Sequence, residues 1–352
     1  MACQLLTFVM GTAVEVELLV FGSGVAALTV IAVAKRRGLR TLVVDPDPSF
    51  GASIAYSTER DIAIQRVPVL LTLQELEALS IPKSCALELN VEPIVLKEGD
   101  YRAKVCGYSS KQYQTPWPLR WVEKRDTLYY VPNLLDYVVN VLGLSRKDIL
   151  SHVVSDLRVV DLSKRVAVLS LGTIIRFRNA VWTWPCDTLF RHLAKRDREE
   201  LSELSKNLEE LEFVGMHILS VASIEHRKPT MYIHATKASR MHTAITIPIS
   251  DNISLTYAIT SFSRSYPLLP GITEKLLSEL RRFHIVDVKK IAVERVYTTM
   301  YGALPEGVTL EKLVEELQCR GLILWGRLAL LREISVVDII GCTEKIEELL
   351  FR

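Results

Sequence analysis

The sequence predicts an α/β protein in which a parallel sheet is built from separate parts of the chain and an antiparallel sheet is inserted between them. Three observations lead to this fold class. A strand, a glycine-rich turn, a helix and a second strand follow one another within residues 16–45. Apolar and polar residues alternate along 213–262, as in an antiparallel sheet. A last apolar strand, 322–325, follows that sheet and can return to the first.

Composition limits the classes of protein. The chain has 352 residues, of which 49% are hydrophobic and 24% charged, enough for a sizeable core. This excludes a disordered or collagen-like protein. The 43 basic and 41 acidic residues nearly cancel, which disfavours nucleic acid as a partner. Asn and Gln number only six each, a bias typical of thermophiles.

The N-terminal region is apolar, and between Leu5 and Ala34 its only charged residues are Glu15 and Glu17. A signal peptide would begin with basic residues, and these acids lie within the stretch. We therefore predict a buried strand and helix here, preceded by a frayed extension, and no membrane span. The six cysteines form no Cys-x-x-Cys pair, which favours reduced thiols and a cytoplasmic location.

The first predicted unit is strand–turn–helix–strand. Val16–Phe21 and Thr41–Val44 are continuous apolar runs, typical of parallel strands buried on both faces. Leu28–Arg37 between them has helical periodicity. Gly22 permits a tight turn, and Gly24 lets the backbone approach a pyrophosphate. The helix N-terminus adds free N–H groups and the positive end of its dipole.

An acidic residue, Asp45, follows the second strand of this strand–turn–helix–strand unit. Asp45 lies 23 residues after Gly22 and can accept hydrogen bonds from an adenosine ribose. Ala27 is small enough for close packing of helix on strand. The pattern predicts a dinucleotide site comprising Gly22, Ser23, Gly24, Ala26, Ala27 and Asp45. Val154, in a short predicted strand, is assigned to the same site.

The remaining elements follow in chain order. The periodicity predicts helices beginning near Pro68 and over 133–142, with an ordered loop over 107–121. Strands fill 152–184, with a hairpin at Gly172, and a single charged helix covers 187–212. After the antiparallel sheet come helix 273–283, strand 291–297, helix 310–318, strand 322–325 and helix 334–351.

These elements divide into two predicted domains. Residues 14–83, 150–212 and 318–352 form a Rossmann-like FAD/NAD(P)-binding domain. Residues 84–149 and 213–317 form an antiparallel-sheet domain that binds substrate or caps the first. A single N-terminal nucleotide unit, to which a C-terminal strand and helix return, is the organisation of flavoproteins that retain FAD. FAD is therefore the predicted cofactor.

The chain resembles the flavoprotein group that contains UDP-galactopyranose mutase, protoporphyrinogen oxidase and the amine oxidases. Phe21–Gly24 is similar to the opening FAD turn of that group, and Phe50–Thr58, with Gly51, to a following loop. Ala180–Asp187 is similar to a strand ending in Thr-Gly-Pro, and Gly326–Arg332 to the segment GRLGTYR.

The resemblance implies roles for particular residues. Gly326 and Arg327 would lie against FAD, and Arg332 would reach the diphosphate of the substrate. Tyr297 and Tyr301 would line the cleft for substrate and flavin. With Arg332 they form the predicted catalytic set. Asp338 corresponds to the closing acid of the cofactor site.

The chain also departs from the group. The double glycine appears as Gly51-Ala52, a histidine-containing segment as Val69–Thr72, and a tyrosine as Leu331. An acid after a sheet strand appears as Ala258. These changes remove polar groups that would face the flavin, and they argue against efficient mutase chemistry.

Other clusters have competing interpretations. His217, His226, His234 and His242 could meet as a metal site, but no carboxylate pattern supports one, and we predict no metal. The cluster of Lys237, Arg240 and His242, or the pair Arg327 and Arg332, could bind an anionic substrate. The aromatic residues of the 107–121 loop could line a cleft or anchor that loop. These are Tyr108, Tyr113, Trp117 and Trp121.

The leading hypothesis is an FAD-dependent oxidoreductase-like flavoprotein acting on a small, anionic or nucleotide-sugar substrate. One alternative is a non-catalytic protein that keeps the FAD/NAD(P)-binding fold and serves as a partner subunit. Another is UDP-galactopyranose mutase itself. The chain could form a homo-oligomer or join a partner.

Overall fold

The computed structural model describes residues 13–91, 93–123, 127–150 and 152–351. The extension expected over residues 1–12 lies outside this range. The strands are β1 (Ala13–Phe21), β2 (Thr41–Asp45), β3 (Tyr56–Glu59), β4 (Ile62–Gln65), β5 (Leu70–Leu71), β6 (Leu87–Leu89), β7 (Pro93–Lys97), β8 (Leu128–Tyr130), β9 (Val153–Val154), β10 (Leu157–Asp161), β11 (Val166–Leu169), β12 (Ile174–Trp182), β13 (Val214–Ser223), β14 (Thr230–His234), β15 (Thr243–Ser250), β16 (Ile253–Phe262), β17 (Ile291–Ala303) and β18 (Leu322–Leu324).

Helices connect and cover these strands. They are α1 (Val25–Arg36), α2 (Leu73–Ala78), α3 (Tyr101–Val105), α4 (Trp117–Glu123), α5 (Leu134–Val141), α6 (Arg146–Leu150), α7 (Cys186–His192), α8 (Lys195–Glu200), α9 (Ser202–Glu209), α10 (Ile272–Arg282), α11 (Glu311–Cys319), α12 (Val336–Gly341) and α13 (Thr343–Phe351). Within the described residues, no helix is long and apolar enough to cross a membrane.

The chain divides into two compact units. The first contains the residues up to Ala52, Val138–Leu211 and those from Gly307 onward. The second contains Ser53–Tyr137 and Glu212–Glu306. Both units are therefore discontinuous, as the α/β fold with an inserted antiparallel sheet requires.

The boundaries of the units differ from those expected for the two domains. Residues 53–83 belong to the second unit because Ile62 and Ile64 of β4 join its core, which includes Met216 and Ile218. Residues 138–149 belong to the first, where Asp148 accepts a 2.7 Å hydrogen bond from Lys35 of α1. Residues 307–317 also belong to the first unit.

The sheet of the first unit has the order β10-β11-β12-β1-β2-β9, and β18 also pairs with β12. β1 is parallel to both β2 and β12, β2 is parallel to β9, and β12 is parallel to β18. Helix α1 is buried from Val25 to Ala34, which explains why the sequence there has no charged residue. The strands β10, β11 and β12 form an antiparallel meander on this sheet.

The second unit contains a sheet of order β17-β13-β16-β15-β14-β7. All its neighbours are antiparallel except β14 and β7. One hydrophobic core contains Ile218, Tyr257 and Ile259 of this sheet. Helix α10 packs on a second core, which includes Leu219 and Ala258.

Several predicted elements differ from those observed. The helix predicted to begin near Pro68 begins at Leu73, after strand β5. The helix over 187–212 is divided into α7, α8 and α9. The N–H of Ala194 bonds to the Val160 carbonyl and separates α7 from α8, and Leu201 separates α8 from α9. The helix over 334–351 is divided into α12 and α13. The loop over 107–121 ends in α4, where Pro118 occupies a first-turn position that suits proline.

Candidate dinucleotide-binding site

The candidate site lies where β1, β2 and β12 end at the same edge of the parallel sheet. Gly22 follows β1 directly and donates its N–H to the Val44 carbonyl at 2.9 Å. Its φ of +113° is a conformation that side chains rarely adopt. A Cβ there would lie 2.1 Å from Thr183 Oγ1. Both backbone conformation and packing therefore require glycine at position 22.

Gly24 begins α1 in an extended conformation with φ −78°. It offers no side-chain acceptor to the first N–H groups of the helix, and the first turn contains no acid. A Cβ added to Gly24 would meet Ala52 Cβ at 3.4 Å, an ordinary contact. The backbone N–H groups and the helix dipole thus form an anion-binding end that the protein itself leaves without a side-chain partner.

Ser23 lies between these glycines and is 1% exposed. Its carbonyl accepts the Gly51 N–H at 2.8 Å, so the loop after β2 is held against the turn. Its buried Oγ has no hydrogen-bond partner. An unpaired buried hydroxyl is uncommon and costly, and a ligand at the turn would supply the missing partner.

Asp45 ends β2 and is 7% exposed. Its Oδ1 accepts the Asp47 N–H at 2.7 Å, and its Oδ2 accepts Nε1–H of Trp184 at 3.3 Å. Val154 pairs with Asp45 across the β2–β9 register. The structure therefore brings Asp45 and Val154 together beside the turn, and it adds Trp184.

Gly326 follows Trp325, at the end of the returning strand. Its φ is +93°, and a Cβ there would lie 2.4 Å from Ala26 Cβ in the first turn of α1. Trp325 fixes this approach by donating Nε1–H to Thr29 Oγ1 at 2.9 Å. The C-terminal segment thus returns to the glycine turn, and Ala26 leaves room for it.

The predicted site residues that follow Gly326 differ in their exposure and in their hydrogen-bond partners. Arg327 binds Glu333 through two hydrogen bonds, Nε to Oε2 at 3.0 Å and Nη2 to Oε1 at 2.6 Å. Arg332 is exposed, after a buried Leu331 with φ +49°. Asp338 forms a capping box with Ser335 at the start of α12, a structural role that is sufficient to explain its position.

Tyr297 and Tyr301 lie on β17 in the second unit, and both are half-buried. The Arg66 guanidinium is 5.6 Å from the ring centroid of Tyr297. The ring of Tyr301 meets Phe213 edge-on, with centroids 4.7 Å apart. The assignment of Tyr297, Tyr301 and Arg332 as catalytic residues stays a prediction. So does the assignment of Arg327 and Asp338 to the cofactor site.

Thr183 and Trp184 lie at this edge of the sheet but are not among the predicted site residues. Thr183 binds the Phe21 carbonyl through its N–H at 2.9 Å and its Oγ1 at 2.7 Å. This holds Trp184 against the turn, within 3.1 Å of a Gly22 Cβ position. The available signal was the Thr-Trp-Pro sequence directly after a predicted parallel strand, at the sheet edge that binds ligands.

Two of the four histidines considered as metal ligands, His217 and His242, form hydrogen bonds with hydroxyl groups. His217 contacts Thr298 Oγ1 at 2.8 Å and Thr273 Oγ1 at 3.1 Å. His242 contacts Thr243 Oγ1 at 2.7 Å and Ser261 Oγ at 3.1 Å. Burial lowers the pKa of both imidazoles. Among the described residues, no three His, Cys, Asp or Glu side chains are placed to hold a metal.

In the second unit, two basic side chains of the predicted cluster lie over aromatic rings. The Lys237 ammonium lies 4.5 Å from the Tyr108 ring centroid, and the Arg240 guanidinium 3.9 Å from that of Tyr266. Trp117 and Trp121 pack against each other, with centroids 4.7 Å apart. Cation–π and ring-packing contacts are therefore sufficient to explain the positions of these side chains.

The architecture is shared with solved flavoprotein structures. A reduced UDP-galactopyranose mutase matches at a TM-score of 0.72 and 10% identity, over 96% of this chain and 94% of that chain. A putrescine oxidase bound to putrescine matches at 0.57 and 9%, over 97% and 100%. A candidate protoporphyrinogen oxidase from Exiguobacterium sp. 255-15 matches at 0.60 and 12%, over 94% and 98%.

No family model matches the chain, and no curated protein matches it in sequence. The structural matches confirm the predicted α/β fold class and the predicted resemblance to this group. At 9–12% identity they establish the fold, and function must be argued from the site.

Proposed function

We propose that this chain is an FAD-dependent, oxidoreductase-like flavoprotein that acts on a small, anionic or nucleotide-sugar substrate. The observation that carries the proposal is the turn at Gly22–Gly24, where the N-terminus of α1 and Ser23, with its buried and unpartnered Oγ, lie at the same edge of a parallel sheet. Uncompensated donors at such an edge suit a diphosphate.

The residues present fit FAD at the diphosphate. The backbone N–H groups of Gly24 and of the first turn of α1 would hold it, with Ser23 Oγ as a further donor. Asp45 would accept from the adenosine ribose, since a carboxylate at the end of this strand is placed to do so. Gly326 allows the returning segment to reach Ala26, so Arg327 would follow directly beside the cofactor.

A bound flavin would supply the oxidation or reduction, and the chain would bind, orient and shield the reactants. Arg327 is oriented by its paired hydrogen bonds to Glu333, which fixes a cation near the turn. Arg332 is exposed and could bind an anionic substrate through two parallel hydrogen bonds. Tyr297 and Tyr301 would contact the substrate.

The cofactor can be identified directly. The supernatant of heated, purified protein would be separated by chromatography against FAD, FMN and NAD standards, and apoprotein would be titrated with each. We expect FAD in the supernatant, or thermal stabilisation of the apoprotein by FAD. NAD alone, or an apoprotein that FAD does not stabilise, would contradict the proposal.

A non-catalytic partner subunit is the second candidate function. It is favoured by the apolar residues that replace polar ones of the related group: Leu331 is 2% exposed, and Leu70 and Leu71 are 8% and 3% exposed. These three leucine side chains are buried in the hydrophobic core. A FAD-loaded protein whose flavin dithionite does not reduce would support this candidate over the first, because a flavin that cannot be reduced cannot carry out oxidation or reduction.

Mutase activity is a separate prediction. Because Val69–Thr72 replaces the histidine-containing segment and Leu331 replaces a tyrosine, we expect the reduced protein not to convert UDP-galactose to its furanose form efficiently. Robust turnover would show that these residues are dispensable.

A further inference from the structure

Trp184 occupies an unusual place for a bulky side chain in a dinucleotide site. Its Cδ1 and Nε1 lie 3.1 and 3.3 Å from the position of a Cβ on Gly22, and Nε1–H donates to Asp45 Oδ2 at 3.3 Å. The indole thus connects the glycine turn with the acid at the end of β2. In this type of site the adenosine ribose lies between those two features.

The carboxylate of Asp45 is already engaged on both oxygens, by the Asp47 N–H at 2.7 Å and by Trp184. The indole lies against the second oxygen and against the glycine turn, so a ribose that approaches this oxygen from the turn meets the indole. The backbone at Thr183 is fixed by its two bonds to the Phe21 carbonyl, so the indole would move by rotation of the Trp184 side chain.

Trp184 is half-buried, so part of its side chain is open to solvent, into which the indole would turn. The rotation gives up aromatic contacts with Phe21 at 5.7 Å, Trp182 at 5.0 Å and His192 at 6.3 Å between ring centroids. The closed position is therefore favoured without ligand, and the affinity for an adenosine-bearing ligand falls with the closed fraction.

We propose that Trp184 determines how tightly this chain binds the adenosine half of a dinucleotide: its indole takes the place of the ribose against Asp45 and must turn away on binding. The proposal rests on the proposed function and adds a specificity-determining residue to it. It implies that adenosine diphosphate alone is sufficient to displace the indole.

The test is titration of the apoprotein with ADP and with FAD, followed by calorimetry and by tryptophan emission. Trp184→Ala should bind both ligands at least tenfold more tightly than the wild-type chain. Trp184→Phe keeps the ring but loses the N–H, and should lie between the two. ADP should change the emission of the wild-type protein but not that of Trp184→Phe. Trp117→Ala, a half-buried tryptophan of the second unit, is the matched control and should change neither affinity.

The outcomes separate the two proposals. Equal FAD affinities of the wild-type chain and Trp184→Ala, with no emission change on ADP, would overturn the role of Trp184 and leave the FAD proposal intact. If neither protein binds FAD or ADP, while Trp184→Ala remains folded by circular dichroism, both proposals fail.

Discussion

The glycine turn of the first unit and the polar cluster around Lys104 in the second both bury polar groups, but they satisfy them differently. Lys104 is 1% exposed and donates to the carbonyls of His234 and Met241, each at 2.7 Å. Glu279 is 2% exposed and accepts from Ser239 Oγ at 2.6 Å and from the N–H groups of Arg240 and Met241, both at 2.9 Å.

At the turn, Ser23 Oγ has no partner and the first N–H groups of α1 have no side-chain acceptor. The contrast shows that burial of polar groups alone does not mark a binding site. A cluster whose donors and acceptors match within the chain supports the loop before β15, whereas unmatched donors at a sheet edge require something from outside. The predictions below test this distinction.

The largest effect is expected at Glu279, because its removal takes the acceptor from the N–H groups of Arg240 and Met241 and the negative charge that acts on Lys104. Glu279→Ala should lower the free energy of unfolding by about 3–5 kcal/mol, measured by urea denaturation. FAD affinity of the folded fraction should not change. Glu274→Ala, on the exposed side of the same helix, should alter stability by less than ~0.5 kcal/mol.

Substitution of Gly326 tests how closely the C-terminal segment packs on α1. Gly326→Ala places a Cβ 2.4 Å from Ala26 Cβ at a φ of +93°, and should cost about 2–3 kcal/mol in urea denaturation. Gly172→Ala has a similar φ of +81° with open space around it, and should cost only about 1 kcal/mol. Equal losses would mean that backbone strain, and not contact with α1, accounts for the effect.

Lys104 should make the stability of the protein depend on pH. Burial lowers the pKa of its ammonium to about 7, so between pH 7 and its unfolded pKa the unfolded chain binds more protons than the folded one. Stability should therefore rise with pH, by at most about 2.7 kcal/mol from pH 7 to pH 9. Urea denaturation across this range should show the rise, and Lys104→Met should flatten it. An unchanged slope in that variant would assign the pH dependence to other groups.

Arg332 should have the smallest effect on folding, because it is exposed. Arg332→Lys should change stability by less than ~0.5 kcal/mol and leave FAD content unchanged. If it binds an anionic substrate, the same change should weaken binding of UDP by about 1–3 kcal/mol in calorimetry. Loss of FAD would place Arg332 in the cofactor site, and no change in either ligand would make it a surface residue.

Much of the fold follows from local pattern. The apolar runs at Val16–Phe21 and Thr41–Val44, with two glycines between them, predict β1, β2 and the turn, since each feature is contained in consecutive residues. Alternation likewise predicts the strands from β13 to β16. The site residues Gly22 and Gly24 could be found for the same reason.

Other features depend on contacts between distant parts of the chain. Ala194 interrupts a helical pattern because its N–H pairs with Val160, a tertiary bond that periodicity does not encode. Trp184 reaches Asp45 across 139 positions, so no local motif shows that an indole would lie against the ribose-binding acid. The closeness of Gly326 to Ala26 is also visible only in three dimensions.

The central claim, that the turn at Gly22–Gly24 holds the diphosphate of FAD, is tested most directly at Gly24. The fold accommodates a Cβ there at 3.4 Å from Ala52 Cβ with φ −78°, whereas a bound diphosphate would not. Calorimetric titration with FAD should show Gly24→Ala binding at least about 100-fold more weakly than the wild-type chain, a loss of about 2.7 kcal/mol. Gly38→Ala, past the other end of the same helix in open space, should bind as the wild-type chain does. A folded Gly24→Ala protein with undiminished FAD affinity would contradict the claim.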